Sequence, residues 1–277
     1  MKYDLANKIV VITGAGSGIG RALAKRLAEQ KCRLALADID ARALAETAAE
    51  LPVPPLSVPF DVSDRGAVND FAARVQGHYG QVDVVINNAG VSLSQRAAFT
   101  NFDDFEWLMG INFWGVVYGT TAFLPGMLER KEGVLVNVSS LYGLIGMAAQ
   151  SAYAASKHAV RGYTESLRLE LLDTGVHALC VHPGGIKTNI ARGARIYEPD
   201  GARTESNAPF ITRFDRTAIT TAASAADIVV RGIRHLKPRI LVGLDALVID
   251  SCQRLAPIKT ATLVTRLKPV ARGNAAC

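Results

Sequence analysis

Lys8-Ile-Val-Val-Ile-Thr-Gly-Ala-Gly-Ser-Gly-Ile-Gly20 is the stretch that decides the fold. Lys8 to Thr13 is a β-branched run that stops at glycines, the signature of a short buried strand. From Gly18 to Gln30 the apolar residues Ile19, Leu23, Ala24 and Leu27 recur at helical spacing. Strand, glycine turn and helix therefore follow one another directly. Glycines let the backbone turn sharply and let an anion approach without a Cβ in the way. The free amides and partial positive charge at a helix N-terminus then suit a phosphate.

Working outward, the same alternation continues. Strands are expected at Arg33–Ala37, Leu56–Phe60, Val82–Ile86, Val134–Val138, Val176–Val181 and Arg239–Val242. Between them, helices are expected over 40–51, from Ser63 as N-cap to about Tyr79, along one long stretch from Phe102 to Arg130, and over 150–173. Another opens at Ser224-Ala-Ala-Asp227, with the acid three residues after the serine. Regular alternation implies parallel pairing with right-handed crossovers. Strands apolar at nearly every position are buried on both faces. The expectation is an α/β protein with a doubly wound sheet, whose ligands bind beyond the carboxyl ends of the strands.

The chain has 277 residues, 49% hydrophobic and 20% charged, an ordinary globular balance. Its net charge of +6 raises nucleic-acid binding as a question, but the basic residues are scattered without interleaved aromatics, so no nucleic-acid partner is expected. Two stretches without formal charge, Trp107–Leu128 and Gly133–Ser156, are long enough to span a bilayer. Their Asn, Ser, Gln, Gly and Pro content argues for a protein core or a subunit interface instead. Cys32, Cys180, Cys252 and Cys277 show no C-x-x-C spacing, two of them fall at predicted buried strands, and no metal site is expected. Asp4 interrupts any basic-then-apolar leader, and reduced thiols fit a cytoplasmic protein.

Tyr153 and Lys157 lie four residues apart on a predicted helix, and so share a face. Hydride leaves a carbinol carbon only if the hydroxyl proton leaves too, which calls for a base touching that oxygen. A free tyrosine titrates near ~10, too high for that work at neutral pH. A neighbouring ammonium stabilises phenolate and lowers that value.

The glycine turn reads T-G-x-x-x-G-x-G, because Ile19 breaks the commoner G-x-G-x-x-G. With this turn, Asn87-Asn-Ala-Gly90, Asn112, Ser140, Tyr153-x-x-x-Lys157 and Pro183-Gly184, the chain resembles the short-chain dehydrogenase/reductase family over roughly its first 240 residues. The resemblance implies a single Rossmann-type domain with a seven-stranded, mainly parallel sheet, here over 1–243, and a dinucleotide held at Gly14, Ser17, Gly18, Ile19 and Gly20. Asp38, ending the second strand, would bond the adenosine ribose hydroxyls and repel a 2′-phosphate, so NAD is expected, with NADP the alternative. Asp38 as a helix N-cap and Arg42 as a phosphate ligand are the competing readings. Asp61 and Val62 would meet the adenine, Asn88, Ala89 and Gly90 the ribose side, and Pro183, Gly184, Ile186 and Thr188 the nicotinamide, with Tyr153 and Lys157 completing the set.

By the same resemblance Tyr153 is the general acid/base and Lys157 lowers its pKa. Ser140, thirteen residues before Tyr153, would hold the substrate oxygen in preference to Ser139. Asn112 would support a water relay to Lys157, and His182 is expected in a structural hydrogen bond. The implied activity interconverts a secondary alcohol and a ketone with NAD. A non-catalytic dinucleotide sensor and an epimerase or dehydratase on the same scaffold are the alternatives.

Residues 189–222 show no clear periodicity and are expected to form a substrate lid. Leu141, Leu144, Met147, Ile190, Phe210 and Phe214 are candidate wall residues and suggest an apolar carbonyl substrate. Arg192, Arg195, Arg203, Arg213 and Arg216 leave an acidic one open. The remainder, 244–277, reads as a mildly basic helical extension that packs on the body in preference to a subunit or membrane surface. The long uncharged helices suit a homo-oligomer, dimer or tetramer.

Overall fold

The computed structural model describes residues 2–267, so the expectations for Cys277 and for the end of the tail lie outside the described residues. Seven strands form one sheet: β1 (Ile9–Thr13), β2 (Arg33–Asp38), β3 (Leu56–Pro59), β4 (Val84–Asn87), β5 (Gly133–Val138), β6 (Val176–Pro183) and β7 (Arg239–Val242). Their order is β3-β2-β1-β4-β5-β6-β7, and each neighbouring pair is parallel. The strand order therefore reverses between β1 and β4, whose carboxyl ends open the crevice where such sheets bind ligands.

The side-chain period of two explains both faces of the sheet. Val10 and Ile12 of β1 point to one side, where they pack with Leu23, Ala24 and Leu27 of α1 (Gly18–Glu29). Ala225, Val229 and Ile233 of α8 (Ala222–Arg234) close that layer. Ile9 and Val11 point to the other side, against Phe71 and Val75 of α3 (Arg65–Tyr79), Phe123 and Met127 of α5 (Gly115–Arg130) and Leu167 of α6 (Ser151–Glu170). Full burial of each such aliphatic side chain contributes about 1.5–3 kcal/mol. The smaller helix α2 (Ala41–Ala49) follows β2, and Leu44 packs into the first of these layers.

Three elements differ from expectation. The long helix is interrupted: α4 (Phe102–Met109) runs through a π-helical stretch, Gly110–Trp114, into α5. The widened turn carries Asn112, fully buried, toward Val91 and Ser156. The cap of α3 is Asp64 and not Ser63: its carboxylate accepts from the amides of Gly66 at 2.7 Å and Ala67 at 3.1 Å. The cap of α8 is Thr221, which accepts from Ser224 N at 3.1 Å, while Asp227 pairs with Arg26 at 2.6 Å. In each case a charged acceptor, or one placed a turn earlier, reaches the free amides better.

The segment 189–222, expected as a lid, contains a helix, α7 (Ala208–Thr217), with Pro209 in its first turn. The extension forms α9 (Leu244–Leu255) and α10 (Pro257–Leu267). Ala246, Asp250 and Thr260 turn inward, whereas Leu247, Val248, Leu255 and Ile258 remain exposed. Asp250 is tied to Arg239 of β7, and Thr265 touches Met147 at 3.6 Å. No described helix is long and apolar enough to cross a membrane.

Candidate active site

One cleft of about 790 Å³ runs along the carboxyl ends of the strands, from Asp38 and Ile39 past the glycine turn to Tyr153, and on to the 189–222 segment. At its first end the turn after β1 needs its glycines. Gly14 has φ +66°, and a Cβ there would approach Ala89 Cα to 2.8 Å. A Cβ on Gly20 would overlap the carbonyl oxygen of Gly14. Asp38 accepts from Gly16 N at 2.7 Å and from Asp40 N at 3.0 Å. The cap of α2 is the next acid, Asp40, so Asp38 is free to face the cleft. Arg42 is ion-paired with Glu46 at 3.2 Å.

The turn after β4 is braced against this one. Thr13 Oγ1 accepts from the amides of Asn88 at 3.1 Å and Ala89 at 3.2 Å. The Asn88 amide donates back to the carbonyls of Thr13 at 3.0 Å and Gly14 at 3.2 Å. The two crevice walls are therefore one hydrogen-bonded unit, with backbone open to the cleft at Gly14, Gly18 and Gly90. An extended, mostly apolar cleft with a glycine cradle and a helix N-terminus at one end fits a dinucleotide.

At the other end, β5 and α6 supply the chemical groups. Tyr153 and Lys157 lie one turn apart on α6 and both are buried. Lys157 Nζ donates to Val138 O at 3.1 Å and lies 5.8 Å from the centre of the Tyr153 ring. Burial pulls the Lys157 ammonium down from 10.5 to about 8. Burial pushes the Tyr153 phenol up to about 12, against which the Ser140 hydroxyl works. In the cleft, burial dominates the titration of this phenol. A positive charge brought into the cleft would work against that burial.

Ser139 and Ser140 divide their roles. Ser139 Oγ donates to Lys157 O at 2.7 Å, which binds β5 to α6. Ser140 Oγ accepts from Tyr142 N at 3.1 Å and faces the cleft beside Tyr153. His182 is fully enclosed, its Nδ1 lies 3.2 Å from Ser140 O, and burial lowers its pKa to about 4. It is neutral, and its Nδ1–H donates to that carbonyl, the structural bond expected of it. The side chain of Asn112 accepts from Val91 N at 2.8 Å and donates to Val91 O at 3.0 Å and Ser156 Oγ at 3.2 Å. It braces the loop after β4 against α6.

Comparison with known proteins adds to this geometry. The family described as short chain dehydrogenase matches residues 8–198. The chain belongs to that family. It is 45% identical to "Putative oxidoreductase SadH" of Mycobacterium tuberculosis over 253 residues, 90% of each chain. It is 38% identical to mouse "Dehydrogenase/reductase SDR family member 7B" over 73% of this chain and 64% of that one. Among solved structures, a short chain dehydrogenase/reductase from Burkholderia phymatum in complex with NAD superposes with a TM-score of 0.83 at 29% identity, over 93% of this chain and 96% of that one.

Within this short chain dehydrogenase, the cleft gathers nearly every residue singled out from the sequence: Gly14, Ser17, Gly18 and Ile19 of the turn, Asp38, Asp61, Val62, Asn88, Ala89 and Gly90. It also gathers Ser140, Tyr153, Lys157, Pro183, Gly184, Ile186 and Thr188. Gly20 and Asn112 do not line it; they pack beneath it. Of the candidate walls, Leu144 is buried in the core instead, while Leu141, Met147, Ile190, Phe210 and Phe214 line the cleft. Arg213 lines it too, but Arg192 pairs with Asp215 and Arg195 with Asp104.

Sequence reasoning missed three features. Tyr142 stacks edge-on against Tyr153 with centroids 6.0 Å apart. Asp104, buried on α4, accepts from Arg195 at 2.5 Å and from the Tyr197 hydroxyl at 2.7 Å, and Arg195 lies over Trp107 at 3.6 Å. This cluster ties the start of the 189–222 segment to the body. Asp245 of α9 reaches the cleft from the extension. The acids at 103 and 104 in the aromatic run Phe102-Asp-Asp-Phe-Glu-Trp107 were the one available signal.

Proposed function

We propose that the protein is an NAD-dependent oxidoreductase that interconverts a secondary alcohol and a ketone. The observation that carries this reading is the convergence of Ser140, Tyr153 and Lys157 in one cleft with the glycine turn. When bound, the dinucleotide supplies or accepts the hydride. Its adenosine end fits Asp38, Asp61 and Val62, its phosphates the turn from Gly14 to Ile19, and its ring end the Pro183–Thr188 segment.

Tyr153 donates its phenolic proton to the substrate oxygen during reduction and takes it back during oxidation. Ser140 holds that oxygen by a hydrogen bond and steadies the charge that develops on it. Lys157, charged at neutral pH because its pKa is about 8, offsets negative charge on the phenol side of the cleft. Leu141, Met147, Ile190 and Phe214 favour an apolar carbonyl compound and keep water from it.

NAD is proposed over NADP because the Asp38 carboxylate closes the adenosine end and Arg42 is already paired with Glu46. The NAD complex of the Burkholderia phymatum relative supports the same choice. Residues 1–243 act as the catalytic unit in this reading, with self-association as a dimer or tetramer. A panel of secondary alcohols and ketones, assayed with NAD(H) and NADP(H) through the cofactor's absorbance, tests it. Turnover with NAD on apolar substrates is expected. Dinucleotide binding without turnover on any member would favour a sensor.

A further inference from the structure

Pro183, Gly184, Gly185 and Ile186 all line the cleft beside Tyr142 and Tyr153. A turn with two adjacent glycines has no side chains there with which to hold itself, and glycine leaves the most backbone freedom to remove. Its ties come from other elements. Gly184 N donates to Val242 O at 2.9 Å, and Thr220 N donates to Gly185 O at 3.3 Å. The third tie is from a side chain: Gly185 N donates to Asp245 Oδ2 at 2.7 Å.

Asp245 lies in the first turn of α9, beyond the residues that match the family. An acid in that position ordinarily answers the free amides of its own helix. This one bonds across to an amide sixty residues away in sequence. The structure is shaped around it. A Cβ on Gly184 would overlap both carboxylate oxygens, so the carboxylate lies flat on the glycine face. Gly243 has φ +98°, and a Cβ there would come within 2.5 Å of Asp245 Oδ1. Two glycines make room for one carboxylate. Oδ1 itself is buried with no hydrogen-bond partner among the described residues. An enclosed oxygen without a donor costs stability, so stability alone does not account for an acid here.

We propose that Asp245 is a positioning residue of the active site: by holding Gly185 it fixes the turn against which the ring end of the dinucleotide rests. This rests on the dinucleotide reading above. The C-terminal extension is thereby part of the site's machinery. The opposite end of the cleft, at Gly14, Asp38 and Asp61, makes no contact with Asp245 and is independent of it.

That independence gives the test. NADH carries both halves, whereas ADP-ribose lacks the ring, so titrating both into the wild type and variants separates the two ends. Asp245→Ala should weaken NADH by about tenfold, the weight of one charge-assisted hydrogen bond. ADP-ribose affinity should stay within about twofold. Asp245→Asn keeps an acceptor for Gly185 N and should recover most of the loss. Gly184→Ala, blocked by the carboxylate in the wild type, should cost NADH affinity there but little more in an Asp245→Ala background, where the obstruction is gone. Unchanged NADH binding in Asp245→Ala, or equal loss of NADH and ADP-ribose, would overturn the proposal. Should Asp245→Ala fail to fold, the Asp245→Asn and Gly184→Ala titrations decide the same point. Failure of the wild type to bind either ligand would instead refute the dinucleotide reading itself.

Discussion

Lys157 Nζ sits 5.8 Å from the centre of the Tyr153 ring and donates to Val138 O, the last carbonyl of β5. That bond holds the ammonium beside the phenol. Burial holds Tyr153 near 12, outweighing the hydrogen bond from Ser140 that works against it. The site is thus poised to respond to a second cation: the oxidised nicotinamide ring carries one. Adding NAD should therefore lower the pH at which Tyr153 ionises. Ultraviolet titration of tyrosinate, wild type minus Tyr153→Phe, reads this directly. A titration unmoved by NAD would leave the phenol unfit as a base.

Lys157 also makes stability depend on pH. Its folded pKa of about 8 lies below the ordinary 10.5, so between those values the unfolded chain binds the extra proton. Stability then rises as pH climbs from about 8 toward 10.5, and falls away as pH drops through about 8. Tyr153, raised from 10.0 to about 12, acts oppositely only above pH 10. Urea unfolding at pH 7.5 and 9.5 should show an upward change for the wild type relative to Lys157→Met. Parallel behaviour of the two proteins would count against a strained ammonium.

Asp38 governs cofactor choice through its place beside Gly16 N. Asp38→Ser removes the negative charge facing the adenosine end. The NADP-to-NAD ratio of kcat/KM should rise by about tenfold or more, equivalent to ~1.4 kcal/mol. An unchanged ratio would remove Asp38 from the specificity argument.

Asp104 secures the start of the 189–222 segment, the proposed lid, by way of Arg195 and Tyr197. Asp104→Ala strands a partly buried guanidinium and a phenol, at a cost of about 1–3 kcal/mol. Denaturant unfolding gives the stability, and steady-state assays should show substrate KM raised with kcat changed less. Loss of kcat alone would place the effect at the chemistry instead.

Much of this was legible in the chain. Val10-Val-Ile-Thr13 and Val84-Val-Ile86 are buried on both faces, so continuous apolar runs reveal them without alternation. The turn and the Tyr153–Lys157 pair are local in sequence and survive folding unchanged. Caps were misread by a residue or a turn because Ser63 and Asp64, or Thr221 and Ser224, are chemically near-equivalent until the backbone chooses. The helix at 208–217 escaped notice because none of its residues is buried, although Pro209 with Phe210 and Phe214 marks a start and a face. The resemblance singled out Asn112, but nothing in the local apolar pattern announces the π-helical turn around it. The partners of Asp104 and Asp245 lie 91 and 60 residues away, so only the tertiary fold discloses those contacts.

The central claim is that the Tyr153 hydroxyl moves the substrate's proton. Tyr153→Phe deletes that oxygen and little else. With NADH and an active ketone, turnover followed at 340 nm should fall by about 10²–10⁴-fold, while NADH affinity stays within about threefold. A variant that turns over at the wild-type rate with its cofactor affinity intact would contradict the account.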